Sequence, residues 1–191
     1  MTNLSHRDQT LIGLALVALM AATRGYHYTS LQQMLPSASW AVFFLAGVYL
    51  RPVWALPALL AFAALLDYAV IRWAGVSDFC VSAAYAALLP AYVSLWLGGR
   101  WYAAHHRFHL ATLLPLFGSA LVTTAICELI SSGSFYFYSE RFVAPTLADF
   151  GVRLIAYFPG SVAAMAFWVG AAALTHVLVV TRFGLSGRQS G

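Results

Sequence analysis

The stretch Val53–Leu66, VWALPALLAFAALL, decides the fold. It is apolar on every face, with neither the alternation of a half-buried strand nor the polar stripe of a helix lying on a water-facing core. In water no neighbour could cover it on all sides. In hydrocarbon only helices or closed barrels satisfy their own backbone, and a barrel strand would alternate polar and apolar residues. The sequence therefore predicts an all-α membrane protein.

The rest of the chain agrees. Of 191 residues 62% are hydrophobic and 8% charged, against roughly a quarter charged in a soluble domain. A helical span takes about 20 mostly apolar residues, so one polytopic domain with six transmembrane helices fills the chain. The expected spans are 10–23, 38–50, 53–71, 80–97, 108–130 and 153–180. Pro57 is expected to interrupt the third span mildly, and Pro159–Gly160 to bend the sixth. Arg51–Pro52 marks a tight turn. Arg24 is expected to snorkel to the interface at the end of the first span. The opening, Arg7 followed by Leu11–Ala22, imitates a signal peptide but lacks a clear A-x-A site, so it reads as an uncleaved span.

Net charge is +4, carried by ten Arg and no Lys. The basic residues are scattered at span ends with no basic run, which argues against a nucleic-acid partner. Without Lys there is neither a P-loop lysine nor a Schiff-base amine, so the chain holds no ATP site of that kind. Counting Arg on alternate sides places both termini in the cytoplasm. Arg7, Arg51, Arg100, Arg107, Arg182 and Arg188 then lie inside, and Arg24, Arg72, Arg141 and Arg153 outside. The segments 25–36, 72–79 and 131–152 become outer connections, the last being the longest.

Several residues carry chemistry. Asp67 lies in an apolar span, where a carboxylate is costly without a partner or a role. It reads either as an acceptor for a polar ligand or as the ion-pair partner of Arg72 or Arg153. Glu128 poses the same choice. Cys80 follows Ser77–Asp78, either of which would cap the fourth helix and leave the thiol in its first turn, where the dipole favours thiolate. A thiolate is a soft metal ligand, whereas a buried Cys is otherwise a small hydrophobe. Cys127, in mid-span, takes the second reading. Tyr85 and Tyr92 are seven apart and share one helical face. Phe135–Tyr138, FYFY, forms an aromatic run in the longest outer connection, suited to an interfacial belt or to a lid over a flat ligand. His105, His106 and His109 read as a solvated cationic turn. Ala18 and Ala22 make a small-xxx-small pair, a surface that another helix can approach closely.

Six short spans, outer connections after the first, third and fifth, and the motif Asp67…Val76–Ser77–Asp78–Phe79–Cys80…Tyr85 resemble the S-components of energy-coupling factor (ECF) vitamin transporters. Within that class the chain looks most like the solitary, cobalamin-specific BtuM type. The resemblance implies an S-component-like bundle in the bacterial inner membrane that takes up cobalamin. It implies Cys80 as an axial ligand to cobalt, with Asp67, Tyr85 and Arg153, joined by Tyr28 and Asp78, as substrate-binding residues. It further implies an ECF module, a transmembrane partner with its ATPases, docking near Ala18 and Ala22. Sulfur donation to cobalt would weaken the bond to an upper cyanide, which adds cyanide removal as an expected side activity. The alternatives are an S-component for biotin or riboflavin, or a membrane redox or thiol enzyme using Cys80 and Asp67.

Overall fold

The structure, a computed structural model, describes residues 4–24, 35–74, 82–106 and 112–183. Among them there is no strand. The elements are α1 (His6–Arg24), α2 (Ser39–Tyr49), α3 (Ala55–Ala74), a 3₁₀ helix (Ala83–Ala87), α4 (Leu88–His105), α5 (Leu113–Tyr138) and α6 (Leu147–Phe183). Three stretches, Ala55–Trp73, Leu113–Tyr138 and Leu147–Arg182, are long and apolar enough to cross a membrane by length and composition.

Local chemistry explains where the helices begin. In α1 the Ser5 hydroxyl accepts from the Asp8 backbone N–H (3.2 Å) while the Asp8 carboxylate accepts from the Ser5 N–H (3.1 Å). This reciprocal cap starts the helix at His6, earlier than residue 10. Thr146 and Asp149 repeat half of the device. Asp149 N–H donates to Thr146 Oγ1 (3.1 Å) and the hydroxyl donates to Asp149 Oδ2 (2.7 Å), so α6 begins at Leu147 rather than at 153. Pro57, Pro90 and Pro115 each occupy the third residue of a helix. A proline in the first turn loses no bond, because that N–H has no partner inside the helix anyway. Pro57 therefore interrupts nothing. Pro90 defers the fourth helix to Leu88, with a 3₁₀ turn before it in place of a span starting at Cys80. Pro115 likewise sets the start of α5 at Leu113, not 108. Helix α6 continues through Pro159.

The largest correction concerns 131–152, expected to be a long connection. Helix α5 continues to Tyr138, and only 139–146 link it to α6. The SSGS run looks like a loop by composition, yet its hydroxyls bond back along the helix. Ser131 Oγ donates to the Cys127 carbonyl (2.7 Å) and Ser134 Oγ to the Ser131 carbonyl (3.0 Å), which shields the serines' polarity inside helical geometry. Glu140, just past the helix, takes a left-handed φ of 60° that ends it.

The shortest of the described α-helices, α2, is the centre of the bundle. Its residues 39 and 41–48 are all buried, and it packs on α1, α3, α4 and α6, most extensively on α4. Gly47 and Gly99 make that contact possible. A Cβ on Gly47 would collide with the Trp96 carbonyl, and one on Gly99 with the Phe44 carbonyl. A Cβ on the adjacent Gly98 would run into the Thr123 side chain of α5. Helices α2 and α4 thus meet backbone to backbone, with a side chain of α5 resting on the same level, as small residues permit. Outside this waist the helices turn large apolar side chains outward, among them Leu114 (81% exposed) and Ile155 (78%).

At the end of the bundle holding the α2–α3 turn, Arg100 caps α2 by donating to the Leu50 and Arg51 carbonyls (3.1 Å each). Gln9 Oε1 accepts the Arg51 N–H (3.0 Å).

Because a carbonyl cannot yield as a side-chain end can, Gly99→Ala should separate α2 from α4 and lower thermal stability in detergent by about 1–3 kcal/mol. Gly160→Ala, where a Cβ meets nothing within 4 Å, should leave the melting temperature within a degree or two of the parent. A thermal-shift series on the two variants checks both.

Candidate functional site

The Asp67 carboxylate meets the guanidinium of Arg24, from the last residue of α1, and neither Arg72 nor Arg153. Arg24 Nε donates to Oδ1 (2.6 Å) and Nη2 to Oδ2 (2.7 Å), a two-pronged pair. Arg24 and Asp67 are 11% and 25% exposed, so Arg24 turns inward instead of snorkelling. Its Nη1 donates to Ser39 Oγ (3.1 Å) and Tyr92 Oη (3.3 Å). The Tyr85 hydroxyl donates to Asp67 Oδ2 (2.7 Å). One cluster therefore joins the end of α1, the start of α2, α3, the 3₁₀ helix and α4.

The local reasons are distinct for each member. The Thr23 hydroxyl, next to Arg24, accepts the Ala38 N–H (3.1 Å) and holds the end of α1 against the entry to α2. Tyr92 is buried and stacked on Phe43, ring centroids 4.4 Å apart. Tyr85 is carried by the 3₁₀ helix, not by the α-helix that carries Tyr92, and is only partly buried. The two tyrosines nevertheless converge on the same ion pair, one through its acid and one through its base.

Arg153 lies elsewhere. It sits on α6 beside a cavity of about 170 Å³ lined by Glu128, Ser132, Tyr136, Phe142 and Tyr157, among others. The guanidinium carbon is 4.6 Å from the Phe142 ring centre, 5.7 Å from Tyr136 and 5.8 Å from Tyr157. This is an aromatic cage for a cation. Among the described residues no carboxylate pairs with it. Glu128 is 4% exposed and accepts from Ser132 Oγ (2.5 Å) and Ser161 Oγ (2.6 Å). The cavity therefore carries a caged cation on one side and a hydroxyl-bound carboxylate on the other. The aromatic run is part of it: Tyr136 is buried in the last turns of α5 and packs on Phe137, Phe142 and Phe150.

Of the residues expected at the site, Asp67 and Tyr85 are brought together, Arg153 is in the α5–α6 cavity, and Tyr28, Asp78 and Cys80 lie outside the described residues. Cys127 is a buried free thiol. Arg24, Ser39 and Tyr92 belong to the Asp67 cluster but were not expected there. Arg24 offered one signal, a charge at the end of an apolar helix facing a second charge inside another.

The histidine turn also differs from expectation. His105 is exposed and bonds the Trp101 carbonyl (2.8 Å), and His109 lies outside the described residues. His106 is partly buried. Its Nδ1 is 2.8 Å from Tyr102 Oη, and its ring lies edge-on to that of His176 (6.0 Å), which in turn meets Tyr49. Burial first, and then His176, hold the His106 imidazole below its usual range.

No family model matches the chain, and no curated protein matches it.

Two outcomes test these assignments. Arg24→Gln should strip the Asp67 carboxylate of its charge partner and destabilise the protein by about 3 kcal/mol. Arg72→Gln, outside the cluster, should do little in the same unfolding assay. For His106 the folded state binds its proton less readily than the unfolded chain, so stability is full above the ordinary value of 6.5 and falls as pH drops below it. The melting temperature of the parent should decline on that acid side, and His106→Gln should flatten that part of the profile.

Proposed function

We propose that this chain is a multi-pass protein of the bacterial inner membrane, with six spans and cytoplasmic termini, that captures cobalamin as an S-component of the ECF kind. The observation that carries the reading is the Arg24–Asp67–Tyr85 cluster. It is a two-pronged ion pair with a tyrosine attached, inside a helical chain whose outward surface is largely hydrocarbon. Exposed Leu65, Leu114, Leu129, Ile155, Leu174 and Leu178 make an apolar surface that water would not tolerate and that lipid would. The three long apolar helices support the same reading, with α1, α2 and α4 completing the six crossings.

In this reading cobalamin lies against the 3₁₀ segment that follows Cys80 in the chain. The Cys80 thiolate supplies the lower axial ligand to cobalt, and the corrin's amide fringe finds hydrogen-bond partners at Tyr85, with Tyr28 and Asp78 nearby in sequence. A corrin far exceeds the cavity of about 170 Å³ at Arg153, so that residue is assigned a peripheral contact. Asp67 changes role. Three of its acceptor positions are already taken by Arg24 and Tyr85, which makes it an organiser of the site more than a direct ligand contact. Energy for uptake comes from a partner module docking on α1, where Ala18 is exposed and Ala22 lies one turn on. Cyanide removal from cyanocobalamin would follow from sulfur donation to cobalt.

Absorbance of the purified protein is the decisive measurement. Protein loaded with cobalamin should show corrin bands shifted from those of the free vitamin. Cys80→Ser should move them and Cys80→Ala should return them to the spectrum expected without a sulfur ligand. Cys127→Ala should change nothing, because that thiol is buried on α5. Identical spectra for the parent and Cys80→Ala would sink cobalt ligation, and flavin bands or a colourless loaded protein would move the reading to another vitamin.

A further inference from the structure

Resting on the reading of this region as the cobalamin site, the geometry points to Arg24 and Asp67 as positioning residues that set the hydrogen-bonding polarity of Tyr85, so that Tyr85 selects ligands presenting an N–H donor. A phenol has one proton to donate and lone pairs to accept with. Its direction is decided by whichever partner is most demanding. Here that partner is the Asp67 carboxylate, which has no proton to offer and lies 2.7 Å from the Tyr85 oxygen. Asp67 cannot rotate to release it, because Arg24 grips both carboxylate oxygens. Arg24 in turn is held by Ser39 and Tyr92. The only proton of Tyr85 is therefore committed to Asp67, and the oxygen of this partly buried residue can only accept from a further partner.

An oxygen that can only accept favours a primary amide, which donates, over a carboxylate, which cannot. A corrin carries several such amides at its rim. Tyr92 is buried, whereas Arg24, Asp67 and Tyr85 are each only partly buried.

The test compares cobalamin with its monocarboxylate derivatives, in which one rim amide has been hydrolysed, by titrating the purified protein and following the corrin bands. The parent should bind cobalamin at least roughly tenfold more tightly than one of the monocarboxylates, the worth of one directed hydrogen bond. Tyr85→Phe should bind the two about equally, having lost the acceptor. Asp67→Asn should narrow the preference, because a neutral amide that must also answer Arg24 no longer fixes the Tyr85 proton as the carboxylate does. A purely structural role would weaken amide and acid forms together and leave their ratio intact. If Asp67→Asn does not fold, Tyr85→Phe decides alone. A parent that binds cobalamin and every monocarboxylate equally, or a Tyr85→Phe variant that keeps the full preference, overturns the inference and leaves the cobalamin reading standing. A parent that binds neither form overturns that reading, and the ligand role of Tyr85 with it.

Discussion

The organisation of this end of the molecule depends on one guanidinium. Arg24 has five N–H donors and no acceptor, and it ends an apolar helix where few side chains can answer it. The chain meets that demand with parts from four other elements: Asp67 from α3, Ser39 from α2, Tyr92 from α4 and, through Asp67, Tyr85 from the 3₁₀ helix. Dispersion contacts between apolar helices are non-directional and tolerate sliding or rotation. A planar fork on a carboxylate does not. The cluster thus fixes the mutual rotation of α1 and α3, which share few other contacts.

The close crossing of α2 and α4 supplies what the ion pair cannot, a fixed distance. Gly47 and Gly99 let each helix rest on the other's carbonyls, so their separation is set by backbone and not by adaptable side chains. From that waist, Phe43 on α2 and Tyr92 on α4 stack, which places the Tyr92 hydroxyl beside Arg24. Packing sets the spacing and the polar cluster sets the orientation. The two meet in a single tyrosine, whose ring belongs to the first and whose oxygen belongs to the second.

This division explains what was legible in the sequence. The helical class followed from Val53–Leu66 and its like, because apolarity on every face is a local property; of the six expected spans, three are long apolar helices among the described residues. Helix ends were local as well, but were read by composition. The Ser5/Asp8 and Thr146/Asp149 caps, and proline at the third position in Pro57, Pro90 and Pro115, carried the correct starts. SSGS imitated a loop because serine's preference for turns yields when its hydroxyl can bond the carbonyl three or four residues back. The pairing of Arg24 with Asp67 was of another kind. The two are 43 residues apart, and nothing in either local stretch distinguishes Arg24 from Arg72 as a partner. Asp67 could be recognised as demanding a partner, but its choice depends on how α1 rotates against α3. The Arg153 cage is equally non-local, since its rings come from α5, the link after it and α6.

A buried ion pair is a poor device for stability alone. Removing two charges from water costs several kcal/mol per ion before their attraction returns anything, and a well-packed apolar pair of the same volume often does as well or better. Leucine at positions 24 and 67 would suit the surrounding helices, and Ser39 and Tyr92 would then lack a reason to face inward. What leucine could not do is hold a hydroxyl in one direction. The carboxylate takes the one proton of Tyr85, and the guanidinium keeps the carboxylate from turning away. The costly part of the cluster is thus the part that directs the hydroxyl of Tyr85, itself only partly buried. That coincidence argues that the pair serves the orientation of Tyr85, with stability as its by-product.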